Sequence, residues 1–263
     1  MKMLLSLLLV SALAAQQPIT FPKDGGVLDV REFGAKANDE ADDTVAIQKA
    51  LDAFPNGNRI VYLPEGTWVV TDMLRWPKGE GGNGEKRTIL QGAGMALTKI
   101  VVPPSTPSFG EKPKAVLWTG VKPAQRFRNA VRDLTIEIGA GNPQAIGMQF
   151  NASNQGTIRN VTLRAAKDSG LIGLDLAHRD MNGPLLVRNC EVVGFERGIS
   201  TARAVNGQTF EQITLRGQTR CGFTNEGQAI SVRGLLSENA TPAIQTYGLF
   251  CLVEAQLRGL AGA

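Results

Sequence analysis

One short motif returns six times in the second half of the chain and limits what the chain can fold into. It reads VRDLTI at 131–136, IRNVTL at 158–163, VRNCEV at 187–192 and FEQITL at 210–215, then, more weakly, VRGLLS at 232–237 and LVEAQL at 252–257. A second motif interleaves with it: GMQF from Gly147, GLDL from Gly173, GIST from Gly198, GFTN from Gly222 and AIQT from Ala243. Starts fall 20 to 29 residues apart in the first series and 21 to 26 in the second. A drifting period of this length, built from β-prone pieces with Gly and Asn between them, is a solenoid signature. Each unit holds short runs of alternating apolar residues and no helical periodicity, so the unit is a coil of short strands. The regular leucine ladder of a leucine-rich repeat is missing. The pattern predicts an all-β chain, a right-handed parallel β-helix whose equivalent strands pair coil on coil.

Alternation then assigns faces. The inward row of the first motif reads Leu134, Val161, Cys190, Ile213, Leu235 and Ala255, with Thr162 pointing outward. The residue before each inward one, Asp133, Asn160, Asn189, Gln212, Gly234 or Glu254, stands at a bend. Asn, Asp and Gly tolerate a left-handed backbone there, and stacked amides can hydrogen-bond from rung to rung. In the second motif the outward row is Gln149, Asp175, Ser200, Thr224 and Gln245, followed two positions later by Asn151, Ala177, Ala202, Glu226 and Tyr247.

Composition matters where it excludes. At 263 residues with 43% apolar and 20% charged side chains, the chain suits one globular unit. The formal charge is +4, but Lys and Arg are scattered, which argues against a nucleic-acid partner. Residues 1–15 read as a signal peptide: Lys2, the apolar run Leu4 to Val10, and the small-x-small site Ala12-Leu13-Ala14. The expected address is therefore secreted or periplasmic, with residues 16–263 as a single domain. The apolar run is too short to span a membrane, so no membrane partner is expected. Cys190, Cys221 and Cys251, spaced 31 and 30 residues apart, leave room for one disulfide between coils, although Cys190 in the inward row reads as a small buried hydrophobe. No cysteine and histidine cluster suggests a metal, and no cofactor is expected.

Residues 27–54 predict a strand and then a short amphipathic helix, with Asp42, Asp43 and Thr44 as N-cap candidates and Ile47, Ala50, Leu51 and Phe54 on one face. Such a helix seals the open apolar end of a β-helix. A calcium role for Asp39, Asp42 and Asp43 is the weaker alternative, because no EF-hand pattern follows. At the other end LVEAQLRGLAGA still reads as a coil, with no capping helix after it. An uncapped coil predicts self-association, or a missing half that would continue the solenoid.

The stretch FGAKANDEADDTVAIQKALDAF followed by RIVYLPEGTWVV resembles the opening of the pectate-lyase-like superfamily, shared by glycoside hydrolase families 28 and 55 and by phage tailspikes. Gly34, Ala35, Asp42, Asp43, Thr44, Ala46, Ile47 and Gln48 match that opening, whereas Ala37, Asn38 and Asp39 replace its Gly-Asp-Gly. GNPQAIGMQFNASNQGTIRNVTL resembles the family 55 pattern through Gly147, Phe150, Asn151 and Asn154. The resemblance covers roughly residues 27–250 and implies a β-helix with a saccharide cleft along the second motif's sheet. The N-T-D, paired Asp, G-H-G and R-I-K signatures of polygalacturonases are missing, and the only histidine, His178, is not flanked by Gly. The D-H and R-x-P-x-x-R signatures of pectate lyases are missing too. In family 55 the catalytic acid belongs to a second β-helical half.

These readings converge on polysaccharide. The expected catalytic pair is Asp175 and Glu226, two coils apart, a separation nearer to an inverting than a retaining arrangement. Gln149, Asn151, Tyr247 and the polar cluster His178, Arg179 and Asp180 are the expected substrate-binding residues. Trp118 and Trp76 offer further sugar-stacking faces. The alternatives are a non-catalytic carbohydrate-binding or structural solenoid and a calcium-assisted polysaccharide lyase, for which the outward row carries only two carboxylates.

Overall fold

The computed structural model describes residues 20–54, 57–77, 87–122, 124, 126–177, 182–202 and 206–259. The early strands are β1 (Val27–Asp29), β2 (Ile60–Leu63), β3 (Gly66–Val69), β4 (Leu74–Arg75), β5 (Ile89–Gly92), β6 (Thr98–Val102) and β7 (Lys114–Trp118). Then come β8 (Ala130–Ile138), β9 (Ala145–Gln149), β10 (Gly156–Ala165), β11 (Ile172–Leu176), β12 (Leu185–Val193) and β13 (Arg197–Ala202). The last are β14 (Gln208–Arg216), β15 (Cys221–Glu226), β16 (Ile230–Glu238), β17 (Ile244–Thr246) and β18 (Phe250–Arg258). The one α-helix among the described residues, α1 (Thr44–Asp52), lies between β1 and β2.

All the paired strands run parallel, and from β2 onward sequence neighbours are not sheet neighbours. One sheet has the order β1-β2-β5-β8-β10-β12-β14-β16-β18, with β3 pairing β6 and β6 pairing β8; the other runs β17-β15-β13-β11-β9-β7-β4. Odd and even strands of the repeat thus go to different sheets, which makes the chain a parallel β-helix. Its register is the one the repeats imply. Val161 pairs with Leu134 and Cys190, and the row continues through Ile213 and Leu235 to Ala255.

The corner of each late coil is a single residue. Asp133, Asn160, Asn189, Gln212, Gly234 and Glu254 all have φ between 50° and 74°. Asn160 donates its amide to Asp133 Oδ1 at 2.6 Å, and Asn189 donates to Asn160 Oδ1 at 2.8 Å. Each even-numbered strand from β8 onward therefore contributes two faces, one on either side of the bend. In the preceding coil the corner is a longer turn at 93–97, so β5 pairs with the first half of β8 and β6 with the second. That turn folds over the outer surface, where Thr135 Oγ1 donates to the Met95 carbonyl at 2.7 Å. Thr162, outward on the next rung, is also buried.

The opposite sheet needs glycine for a different reason. A Cβ on Gly147 would meet the Gly173 carbonyl oxygen at 2.7 Å, and one on Gly198 would meet that of Gly222 at 2.5 Å. Inside, apolar side chains stack rung on rung. Phe210 meets Phe223 edge-on at 5.0 Å, and Phe223 meets Phe250 at 5.2 Å, a geometry worth about 0.5–1.5 kcal/mol per pair beyond the area buried. Ala255 keeps its place in the inward row yet is exposed, because among the described residues no strand stacks on β18. Val253 and Leu257 beside it are each 51% exposed.

Helix α1 buries Ile47, Ala50 and Leu51. Phe54, expected on that face, lies past the helix end and is 46% exposed, with the Arg59 guanidinium over its ring at 5.1 Å. The acidic run ahead of the helix staples it to the first coil. Asp43 accepts from the amides of Lys36 and Val69, and burial pushes its carboxyl up. Asp42 accepts from the amide and hydroxyl of Thr44 and from the Thr71 hydroxyl; burial raises its carboxyl, but these bonds outweigh it and leave it lowered. The calcium alternative is thus replaced by backbone capping, and the described residues contain no cluster of three metal-binding side chains. The three cysteines are free, so the disulfide alternative fails, and burial pushes the Cys190 thiol up to about 12. The signal-peptide residues 1–15 lie outside the described residues.

Candidate functional site

The seven-stranded sheet turns alternate side chains inward and outward, and its register draws one outward line across the molecule. Arg75 pairs with Trp118, Trp118 with Gln149 and Gln149 with Asp175. Asp175 in turn pairs with Ser200, Ser200 with Thr224 and Thr224 with Gln245. The intervening positions are core: Leu74, Leu117, Met148, Leu174, Ile199 and Phe223 are all buried. Leu-Arg at 74–75 and Leu-Trp at 117–118 repeat the inward-outward step of Met148-Gln149. Arg75 as a member of the line escapes sequence reading because the early coils carry long, unequal turns that break the period.

Asp175 lies at the middle of this line and is only 7% exposed. Gln149 Nε2 donates to Asp175 Oδ2 at 2.8 Å, and the Ala177 amide donates to Oδ1 at 2.9 Å. Both oxygens are held, so the carboxylate has a fixed direction. On the next two rungs the Ser200 and Thr224 hydroxyls are buried without a hydrogen-bond partner among the described residues. A buried hydroxyl left unpaired costs about 1–3 kcal/mol and is a ready point of attachment for a polar ligand. Trp118 is half-buried one rung in from Arg75 and Tyr247 is 73% exposed near the other end, its hydroxyl accepting from Gln245 Nε2 at 2.7 Å.

Glu226 is exposed and pairs with Ala202, two positions beyond the Ser200–Thr224 level. Two rungs and two residues put its Cα about 12 Å from that of Asp175 by strand geometry. This is far beyond the about 5–5.5 Å between carboxyl groups in a retaining pair, and an inverting pair requires the two side chains to lean together.

Asn151 does not belong to the surface. It is 1% exposed, its amide group donates to the Gly120 carbonyl at 2.6 Å and its backbone amide donates to Thr119 Oγ1. The chain leaves the strand after Gln149, so alternation stops applying and Asn151 turns inward to tie neighbouring coils. Asn182, which sequence reading passed over, does the same work, donating to the Phe150 and Leu176 carbonyls and accepting from the Ala152 amide. Trp76 is 1% exposed and packs in the core, so it offers no stacking face. His178, Arg179 and Asp180 lie outside the described residues.

The fold defines a parallel β-helix protein with a polar line along one sheet. The family model described as Rhamnogalacturonase A/epimerase, pectate lyase-like matches residues 27–249, and the chain belongs to that family. The Mannuronan C5-epimerase AlgE3 of Azotobacter vinelandii is 38% identical over 82 residues, 29% of this chain and 4% of that protein. A probable glucan endo-1,3-beta-glucosidase of Arthroderma benhamiae is 26% identical over 128 residues, 49% of this chain and 13% of that protein. Among solved structures, the pre-mature bacteriophage phi29 gene product 12 superposes with a TM-score of 0.56 at 18% identity, over 87% of this chain and 33% of that one. The last likeness is one of fold alone.

Proposed function

We propose that the chain is an exported protein that acts on a polysaccharide laid along the outer line from Trp118 to Tyr247. The observation that carries this is the anchored Asp175 carboxylate, flanked by Gln149 on one side and by two unpaired hydroxyls, Ser200 and Thr224, on the other. A pyranose ring offers many hydroxyls and an apolar face. A line of amide, carboxylate and hydroxyl groups ending in aromatic rings meets both. The reaction is hydrolysis of a glycosidic bond. Asp175, both of whose oxygens already accept hydrogen bonds, is the base that activates water, and exposed Glu226 is the acid that protonates the leaving oxygen.

The test is product formation on β-glucans and on uronate polymers, read as new reducing ends, as absorbance of unsaturated uronate and as C5 configuration by NMR. New reducing ends without unsaturation, lost in Asp175→Asn, support hydrolysis. Unsaturated or inverted uronate moves the same site to proton abstraction at C5. Silence on every polymer, from protein shown to be folded, leaves a carbohydrate-binding solenoid without turnover.

A further inference from the structure

The corner of the solenoid carries a second line of side chains, on a face different from that of Asp175. One residue before each bend the outward positions are Arg132, Arg159, Arg188, Glu211 and Arg233, and the register stacks them directly: 132 on 159, 159 on 188, 188 on 211, 211 on 233. Three arginines therefore occupy successive rungs about 4.8 Å apart. Parallel pairing normally puts such a stack beside carboxylates, because like charges in adjacent positions repel. Here that holds for only part of the stack. Arg188 reaches Glu211 at 3.5 Å, and Arg233 reaches Glu254 at 3.1 Å. Arg132 and Arg159 have neither an ion pair nor a side-chain hydrogen bond among the described residues, and Arg132 Nε is shut off from solvent without an acceptor.

The neighbouring carboxylates do not relieve this. Asp133 accepts the Asn160 amide, and Glu211 and Glu254 are taken by Arg188 and Arg233. Burial first, and Arg159 next, push the Arg132 guanidinium below the usual arginine value, with Asp133 opposing them. The ladder of Asp133, Asn160 and Asn189 side chains holds the corner rigid beside these arginines.

We propose that Arg132 and Arg159, with Arg188 at the rim, form a docking track for an acidic oligosaccharide whose carboxylates face the guanidinium groups. A guanidinium presents a planar fork that matches a carboxylate in two parallel hydrogen bonds, and a rigid row of such forks suits a regularly repeating polyanion. Nucleic acid fits less well. No aromatic side chain occurs on β8, β10 or β12, so the rungs that carry these arginines offer no ring on which a base could stack. The track is independent of the activity proposed for the opposite sheet: it would hold an acidic chain to the protein whatever reaction that sheet performs.

The test is calorimetric titration with a hexamer of galacturonate, with a neutral glucose hexamer and an oligo(dT) of similar length as comparators. The native protein is expected to bind the acidic sugar at least about tenfold more tightly than the neutral one, with that affinity falling as salt rises. The double variant Arg132→Gln/Arg159→Gln is expected to weaken binding at least tenfold, while Arg164→Gln, which removes an ion-paired arginine beyond the bend, leaves it within about twofold. Where the Gln pair does not fold, the Lys pair, which keeps the charge but not the fork, is expected to weaken binding several-fold. Binding that survives the arginine changes but is lost in Tyr247→Ala would overturn the track and leave the proposal for the other sheet standing. Oligo(dT) binding as tightly as the uronate, or no binding of the uronate at all, would also overturn it.

Discussion

Two outer surfaces of the same solenoid handle polarity in opposite ways. Beyond the bend, Lys99, Glu137, Arg164, Glu191, Arg216, Glu238 and Arg258 form an unbroken chain of ion pairs across the coils, with distances from 2.6 to 4.0 Å. Every charge there has a partner on a neighbouring rung, as stacking of parallel strands encourages. Around the seven-stranded sheet the line from Trp118 to Gln245 has one carboxylate, and Ser200 and Thr224 beside it are left unpaired. The first surface satisfies itself, so nothing is gained there by binding. The second keeps polar groups in reserve, and the Arg132–Arg159 pair at the corner does the same with charge. The positions proposed as functional are those where the repeat fails to satisfy its own side chains.

The sharpest way to break this contrast is at Asp175. Asp175→Asn keeps the shape and one acceptor oxygen but removes the charge, and turnover is expected to fall by about 10²- to 10⁴-fold in a product assay while thermal stability changes little. Loss of stability with unchanged turnover would place Asp175 among the structural residues.

A second comparison is internal to the fold. Phe210→Ala empties the interior at the stacked phenylalanines and is expected to cost about 3–5 kcal/mol in denaturant unfolding. Gly173→Ala acts on the other sheet without removing anything. Its Cβ would meet Val192 Cγ1 at 2.2 Å and the Gly198 carbonyl oxygen at 2.9 Å, so a loss of about 1–3 kcal/mol is expected by the same measurement.

The smallest effect should come from the charged surface. The hydrogen bond from Arg216, then its charge, holds the Glu238 carboxyl below its ordinary value. A carboxyl lowered in the folded state stabilises above its unfolded pKa, and that contribution is lost as pH falls through the folded one. Glu238→Gln is therefore expected to shift Tm by no more than about 2 °C near pH 7, and by nothing near pH 2 or in molar salt. The cysteines offer a check that does not depend on energy: exposed Cys251 should react with a thiol reagent at once and buried Cys190 only on unfolding.

The repeat by itself determined a great deal. Stacking one coil on another forces equivalent residues into register, so the row from Leu134 to Ala255, the left-handed corners and the line from Gln149 to Gln245 all follow from spacing and alternation. The helix face of Ile47, Ala50 and Leu51 followed from a 3.6-residue period in the same way. What alternation could not reach was everything decided off the strands. Asn151 turns inward because the backbone leaves the sheet after Gln149, and Phe54 stays outside because the helix stops before it. Arg75 joins the polar line only through pairing between coils whose turns differ in length. That the Ser200 and Thr224 hydroxyls and Arg132 Nε are buried without partners depends on which groups from distant parts of the chain come within hydrogen-bond reach, and only the tertiary structure decides that.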